Sequence, residues 1–153
     1  MVEQELAKLG LVLPNPPKAI ATYKQFLMTG NFVYVSGQLP LLDGVLQYKG
    51  TVGKDLSVPQ GGDAARLCSL NILSIIRLAV DGDWSKIKSL IRINGFVNTE
   101  SSFEHHSKVI NCASELLLGV LGEEVGGHTR TSIGVSSLPL GAAVEIDAIF
   151  ELT

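Results

Sequence analysis

Arg130 and Glu145 are the two charged side chains whose settings suggest chemistry. Arg130 lies in His128-Thr-Arg-Thr-Ser-Ile-Gly-Val135, a stretch with no acidic residue. A guanidinium stays charged and offers a planar fork of donors that fits a carboxylate bidentately, which nominates a small carboxylic acid as ligand. Strand alternation places Ser132 on the same face, so the pair could line a polar cleft; the competing reading is a solvated strand arginine. Glu145 sits in Ala143-Val-Glu-Ile-Asp-Ala-Ile-Phe150. An apolar setting raises a carboxyl's pKa and suits it to handle water as acid or base, the competing reading being a surface charge. Ser36-Gly37-Gln38 closes an apolar strand with a hydroxyl, a bare backbone position and an amide, a set that could hold a ligand oxygen against main-chain N–H groups or simply make a turn. Tyr23 adds a candidate phenolic donor, or else packs at a rim.

Other chemistries lack their residues. His105, His106 and His128 share no zinc spacing with Cys68 or Cys112, so no metal is expected. Gly61-Gly62 and Gly126-Gly127 lack the lysine or the GxGxxG context of a phosphate loop, and no GxSxG elbow supports a covalent hydrolase. The net charge of −3 comes with scattered rather than clustered basic residues, which weighs against a nucleic-acid partner. Both cysteines fall in helical apolar patterns, where a thiol behaves as a small hydrophobe, and a reducing, cytoplasmic setting is expected. The N-terminus has neither the basic start nor the apolar core of a signal peptide, and no apolar run approaches the ~18 residues of a membrane span.

The elements that must position these residues follow from periodicity. With 153 residues and 46% hydrophobic content, one packed domain is expected. Residues 1–18 carry a weak helix over Glu3–Leu9 and then Pro14, Pro16 and Pro17, and read as an N-terminal appendage to a domain over 19–153. Ile20–Met28 and Phe32–Ser36 read as a hairpin closed at Gly30, and 43–55 as a loop with a short edge strand. Ser57 is a helix N-cap with Gln60 completing a capping box; Ala64, Leu67, Cys68, Asn71, Ile72 and Ile75 then recur at helical spacing up to Asp81-Gly82. Ile87–Val97 reads as a strand with Gly95 as a bulge or close-approach point. A second helix over Val109–Val120 stops at Gly122. Thr129–Ser137 and Ala143–Leu152 read as a hairpin around Leu138–Ala142, with Glu145 staggered from Arg130 by ~13 Å at ~3.3 Å per residue. The order ββ, α, β, α, ββ predicts an α+β fold with both helices on one face of a single mixed sheet. The last strand carries Glu145 and Asp147 on its other face, which is either solvated or an oligomer interface.

These pieces resemble the Rid family, the reactive intermediate deaminases, also called YjgF-type proteins and, in older naming, endoribonuclease L-PSP. The resemblance runs from Ala19 onward and rests on three separated blocks: Phe32-Val-Tyr-Val-Ser-Gly-Gln-Leu-Pro40, Asn94-Gly-Phe-Val97, and Arg130 through Leu138-Pro139 to Val144-Glu-Ile-Asp-Ala-Ile149. Residues 1–18 are similar to the extension of the family's longer branch. The resemblance implies a chorismate-mutase-like fold in which three chains form a barrel-like homotrimer with ligand clefts between subunits. It implies hydrolysis of reactive 2-imino and enamine acids to 2-keto acids and ammonia, without metal or cofactor. By motif, Arg130 is similar to the family arginine that grips the substrate carboxylate, and Glu145 to the glutamate associated with the attacking water. Tyr23, Ser36, Gly37 and Gln38 fall on cleft positions, and Asn111 matches the asparagine of the second helix. Two departures stand out: Ser132 occupies a position where many members have cysteine, and Ala21-Thr22 replaces a Gly-Pro before the tyrosine. The alternatives are a non-catalytic trimer that binds small 2-keto acids or partner proteins, and, against the acidic charge balance, a ribonuclease.

Overall fold

A computed structural model describes all 153 residues. The chain runs α1 (Val2–Lys8), β1 (Phe26–Thr29), β2 (Phe32–Gln38), β3 (Leu41–Leu42), β4 (Val45–Leu46), α2 (Val58–Ala79), β5 (Ile87–Asn98), α3 (His106–Leu121), α4 (Glu123–Gly126), β6 (Thr129–Val135) and β7 (Val144–Leu152). Five strands form one mixed sheet in the order β1-β2-β7-β5-β6, while β3 and β4 pair only with each other. The alternation along β7 decides which face is covered. Val144, Ile146, Ala148 and Phe150 are buried beneath the helices, while Glu145, Asp147 and Ile149 face the open side.

The α2 start matches the sequence reading. Ser57 Oγ accepts from the Gln60 N–H at 3.2 Å, and the Gln60 side chain accepts from the Ser57 N–H at 2.8 Å, a reciprocal capping box. Gly95 is a point of close approach. A Cβ there would come within 2.6 Å of the Ile110 side chain, so the bare position lets α3 lie tightly on β5.

Three expectations are corrected. First, β6 and β7 do not form a hairpin: β6 pairs parallel with β5, and β7 lies antiparallel between β5 and β2. The β5-α3-β6 crossover places β6 outside β5. The connection from Ser136 to Ala143, with left-handed backbone at Leu140 (φ 59°) and Gly141 (φ 73°), then returns the chain across β5. Its apolar face explains the choice, since a central slot buries all four of its inward side chains. Second, the first strand is short. Residues 20–25 are irregular and β1 covers only Phe26–Thr29. Third, residues 1–18, read as an appendage outside the 19–153 domain, pack into its core. Leu6 is fully buried in the same core as Phe150 and Ile110; Glu3 accepts from Trp84 Nε1 (2.8 Å) and Arg77 Nε (3.0 Å), and Ser74 Oγ donates to the Pro14 carbonyl at 2.8 Å.

Candidate functional site

The β2–β7 ladder breaks where the sequence placed its cleft. Val35 pairs with Ala148 and Gln38 with Ile146, so β2 spends three steps against two on β7, a bulge at Ser36-Gly37. Beside it opens a cavity of about 520 Å³ whose lining includes Tyr23, Ser36, Gly37, Gln38 and Glu145. Gly37 is required there, because a Cβ would collide with Glu145 Oε1. Ser36 ties the cleft together: its hydroxyl donates to the Lys24 carbonyl at 2.6 Å and its N–H to the Gln25 carbonyl at 2.9 Å, which fixes the loop carrying Tyr23. Ser36 thus spends its proton on structure rather than on a ligand. Gln38 Nε2 folds back onto the Ser36 carbonyl at 2.9 Å, and Tyr23 stands exposed at the rim. The wall beyond β2 is held by Asn71, fully buried on α2, whose amide donates to the carbonyls of Leu39 (3.0 Å) and Leu41 (2.9 Å). Sequence reading counted Asn71 among apolar helix positions. Its polarity within that stripe was the available signal.

Glu145 is half-buried, and removal from water pushes its carboxyl pKa above the usual 4.5, with the charge of Asp147 on the same face adding to the rise. Asp147 is likewise raised by burial, against the opposing pull of Asn94, which donates to it at 2.7 Å, and of the nearby Arg92. Arg92 donates in turn to Asn94 (3.1 Å) and to the Thr131 hydroxyl. Glu145 stands at the edge of this network without a cationic partner. A carboxyl so placed exchanges protons closer to neutrality than a solvated one.

Arg130, Asn111 and Ser132 belong to a second locus, where β6 faces α3. Arg130 donates to Asn111 Oδ1 at 2.6 Å, to Ser114 Oγ at 3.0 Å and to the Ser107 carbonyl at 3.3 Å. All three acceptors are neutral, so the guanidinium carries an uncompensated charge. Ser114 and His128 complete the locus and were not anticipated. His128 Nδ1 lies 2.7 Å from the Gly126 carbonyl, which can only accept, so the proton sits on Nδ1. Nε2 then accepts the Ser114 hydroxyl at 2.8 Å, leaving the Ser114 lone pairs for Arg130. The spacing held the signal: Ser114 is three residues from Asn111 on a helix, and His128 two from Arg130 along the strand approach. Ser132 Oγ is buried on the same side without a hydrogen-bond partner.

One chain does not bring the two loci together. Arg130 is level with Ile93, which pairs with Ala148 on the helix-covered face; Glu145 is level with Phe96, which pairs with Ile133 on the open face. The separation, two strand spacings across and three residues along, is roughly 14 Å between backbones, with side chains pointing to opposite sides. The expected stagger therefore has nearly the expected size, but it arises from an intervening strand and a change of face.

A family model described as "YjgF/chorismate mutase-like, putative endoribonuclease" matches residues 3–152. Protein TCP17 of Trypanosoma cruzi is 42% identical over 151 residues, covering 99% of this chain and 94% of its own. The crystal structure of Atu1372 from Agrobacterium tumefaciens, described as of unknown function, is 45% identical and superposes with a TM-score of 0.93 over 99% of this chain and 92% of that one. The YjgF gene product of E. coli shares the fold at 24% identity, with a TM-score of 0.63 over 90% of this chain and 93% of that one. With the whole sheet, helices α2 and α3 and residues 3–18 inside the match, the chain belongs to the Rid (YjgF) family.

Proposed function

We propose that this protein hydrolyses reactive 2-imino acids to 2-keto acids and ammonia, at a cleft completed by a second copy of the chain in a homotrimer. The observation that carries the reading is Glu145: a half-buried carboxyl with a raised pKa, pressed against the bare backbone of Gly37 at a cavity wall. Arg130, whose own-chain partners are all neutral oxygens, supplies the anchor for a carboxylate. The opposite facing of the two groups supports a site shared between copies. Exposed apolar side chains on the open sheet face, Leu27, Phe32, Tyr34 and Ile133, favour the self-association that such sharing needs.

The chemistry balances without a cofactor. Water adds through oxygen to the imine carbon as the C=N π pair moves to nitrogen, and Glu145 takes one water proton and passes it to that nitrogen. In the carbinolamine, Glu145 moves the remaining hydroxyl proton to nitrogen as the C–N bond breaks and C=O forms. Both water protons thus end on ammonia. Holding the carboxylate on Arg130 with the imine carbon near Glu145 supplies orientation, and imines hydrolyse readily enough in water that modest acceleration suffices.

The test generates imines with an amino-acid oxidase and traps them with semicarbazide. Wild-type protein should suppress trapping and Arg130→Ala should lose at least about a hundredfold in kcat/KM, the scale of a positioning group. Wild-type protein that leaves every imine to the trap would refute the reading.

A further inference from the structure

The same cavity is walled on one side by the N-terminal segment, through Pro17, Ala19 and Ile20, and elsewhere by Leu39, Leu41 and Pro139. We infer that this wall is a side-chain pocket, and that it selects 2-imino acids with branched aliphatic or aromatic side chains over three-carbon and dicarboxylic ones. The inference rests on the imine-hydrolase reading and adds the substrate class to it. Three observations carry it.

The cavity of the single chain, about 520 Å³ before a second copy closes over it, lies within the roughly 300–1,000 Å³ range of small-molecule pockets, beyond what a three-carbon acid fills. Its composition is divided: Glu145, Ser36, Gln38 and Tyr23 are polar and suit the reacting end, while the six residues of the wall present hydrocarbon. Removing a substrate's alkyl or aryl group from water against them favours binding in proportion to the area covered. The wall is also pre-formed. Leu6 anchors α1 in the core, the Pro14 carbonyl accepts from Ser74 at 2.8 Å, and Pro16 and Pro17 restrict the chain just before Ala19, so little ordering is left for the ligand to drive. Lys18 is the one cation in the lining. It is exposed and makes no ion pair, a solvated ammonium set among hydrocarbon.

Stable 2-keto acids make the test independent of turnover. Calorimetry of the full chain should give 4-methyl-2-oxopentanoate and phenylpyruvate at least about tenfold tighter binding than pyruvate or 2-oxoglutarate, the discrimination expected of a few buried carbons. Ile20 is half exposed, so Ile20→Asn, which adds no charge to a site for anions, leaves the fold intact; it should weaken the two large acids about tenfold and pyruvate far less. Lys18→Met should not reduce binding of the large acids. Equal affinity for large and small acids, or an unchanged ratio in Ile20→Asn, would overturn the pocket while leaving the hydrolase reading standing. Tightest binding of 2-oxoglutarate, lost in Lys18→Met, would overturn it in favour of a dicarboxylate site. Binding of none of the four, with no imine hydrolysed, would remove the shared reading and the pocket with it.

Discussion

At the scale of residues, the chemistry converges on one carboxyl and the space left for it. Glu145 reaches its position only because Gly37 carries no side chain. Gly37→Ala should therefore displace the carboxyl and reduce imine hydrolysis by at least about tenfold, with Arg130-dependent keto-acid binding less affected; steady-state kinetics beside calorimetry separates the two. The raised pKa of Glu145 also has a stability consequence. Between its ordinary 4.5 and its higher folded-state value, the native protein holds a proton that the unfolded chain has lost, so stability falls as pH rises through that window. Above it the folded state holds an ionised, partly desolvated carboxylate. Glu145→Gln removes that cost, and thermal unfolding should show a higher Tm than wild type at pH 7, with the gap closing below pH 4.5. A gap that widens on acidification would contradict the assignment. Arg130, Glu145 and the Ser36-Gly37-Gln38 run were legible as candidate residue types; the bulge that the run forms was not. Ser114, His128 and Asn71 left only a spacing or polarity signal, because the contacts each makes join separate elements and the local pattern does not name the partner.

At the scale of elements, the N-terminal helix anchors the segment that reaches the cavity at Pro17. Its seven residues could not hold a helix alone, and Leu6 and Val2 stabilise it by packing into the core beside α3. Leu6→Ala should cost about 2–5 kcal/mol, the range for a fully buried leucine, measurable as a lower denaturant midpoint without change in slope. A cost below about 0.5 kcal/mol, typical of surface sites, would return the segment to an appendage. Helices α2 and α3 were readable from caps and spacing because their signals are local. The pairing of the last strands was not. Two alternating strands joined by a Pro-Gly-containing loop carry the same pattern whether they face each other or flank a third, and the choice depends on the slot between β2 and β5.

At the scale of the whole molecule, the two loci make opposite demands on one sheet. Arg130 points into the helix-covered side and Glu145 to the open side, so the proposed hydrolase reading requires a site drawn from two copies. Closed symmetric assembly meets that need by repeating one contact. The expected outcome is complementation: Arg130→Ala and Glu145→Gln, each inactive alone, should regain about a quarter of wild-type activity when refolded together at equal ratio, because random assembly of a symmetric oligomer leaves that share of sites with both groups intact. Light scattering on the same samples should report three copies. Activity that stays absent in mixed assemblies would place both groups in one chain's site.

The sequence by itself determined the two long helices and most of the strands, the two-helix face, the capped start of α2 and the identities of the candidate site side chains, since these follow from periods, caps and motifs spanning a few residues. Only the tertiary structure decided that β7 is central, that α1 packs into the core while Pro17 and Lys18 reach the cavity, and that Arg130 and Glu145 lie on opposite faces. The physical reason is common to all three. Strand order, the docking of a short helix and the side of a sheet on which a residue acts are set by competition among distant surfaces for burial, and that competition is resolved only when the chain packs.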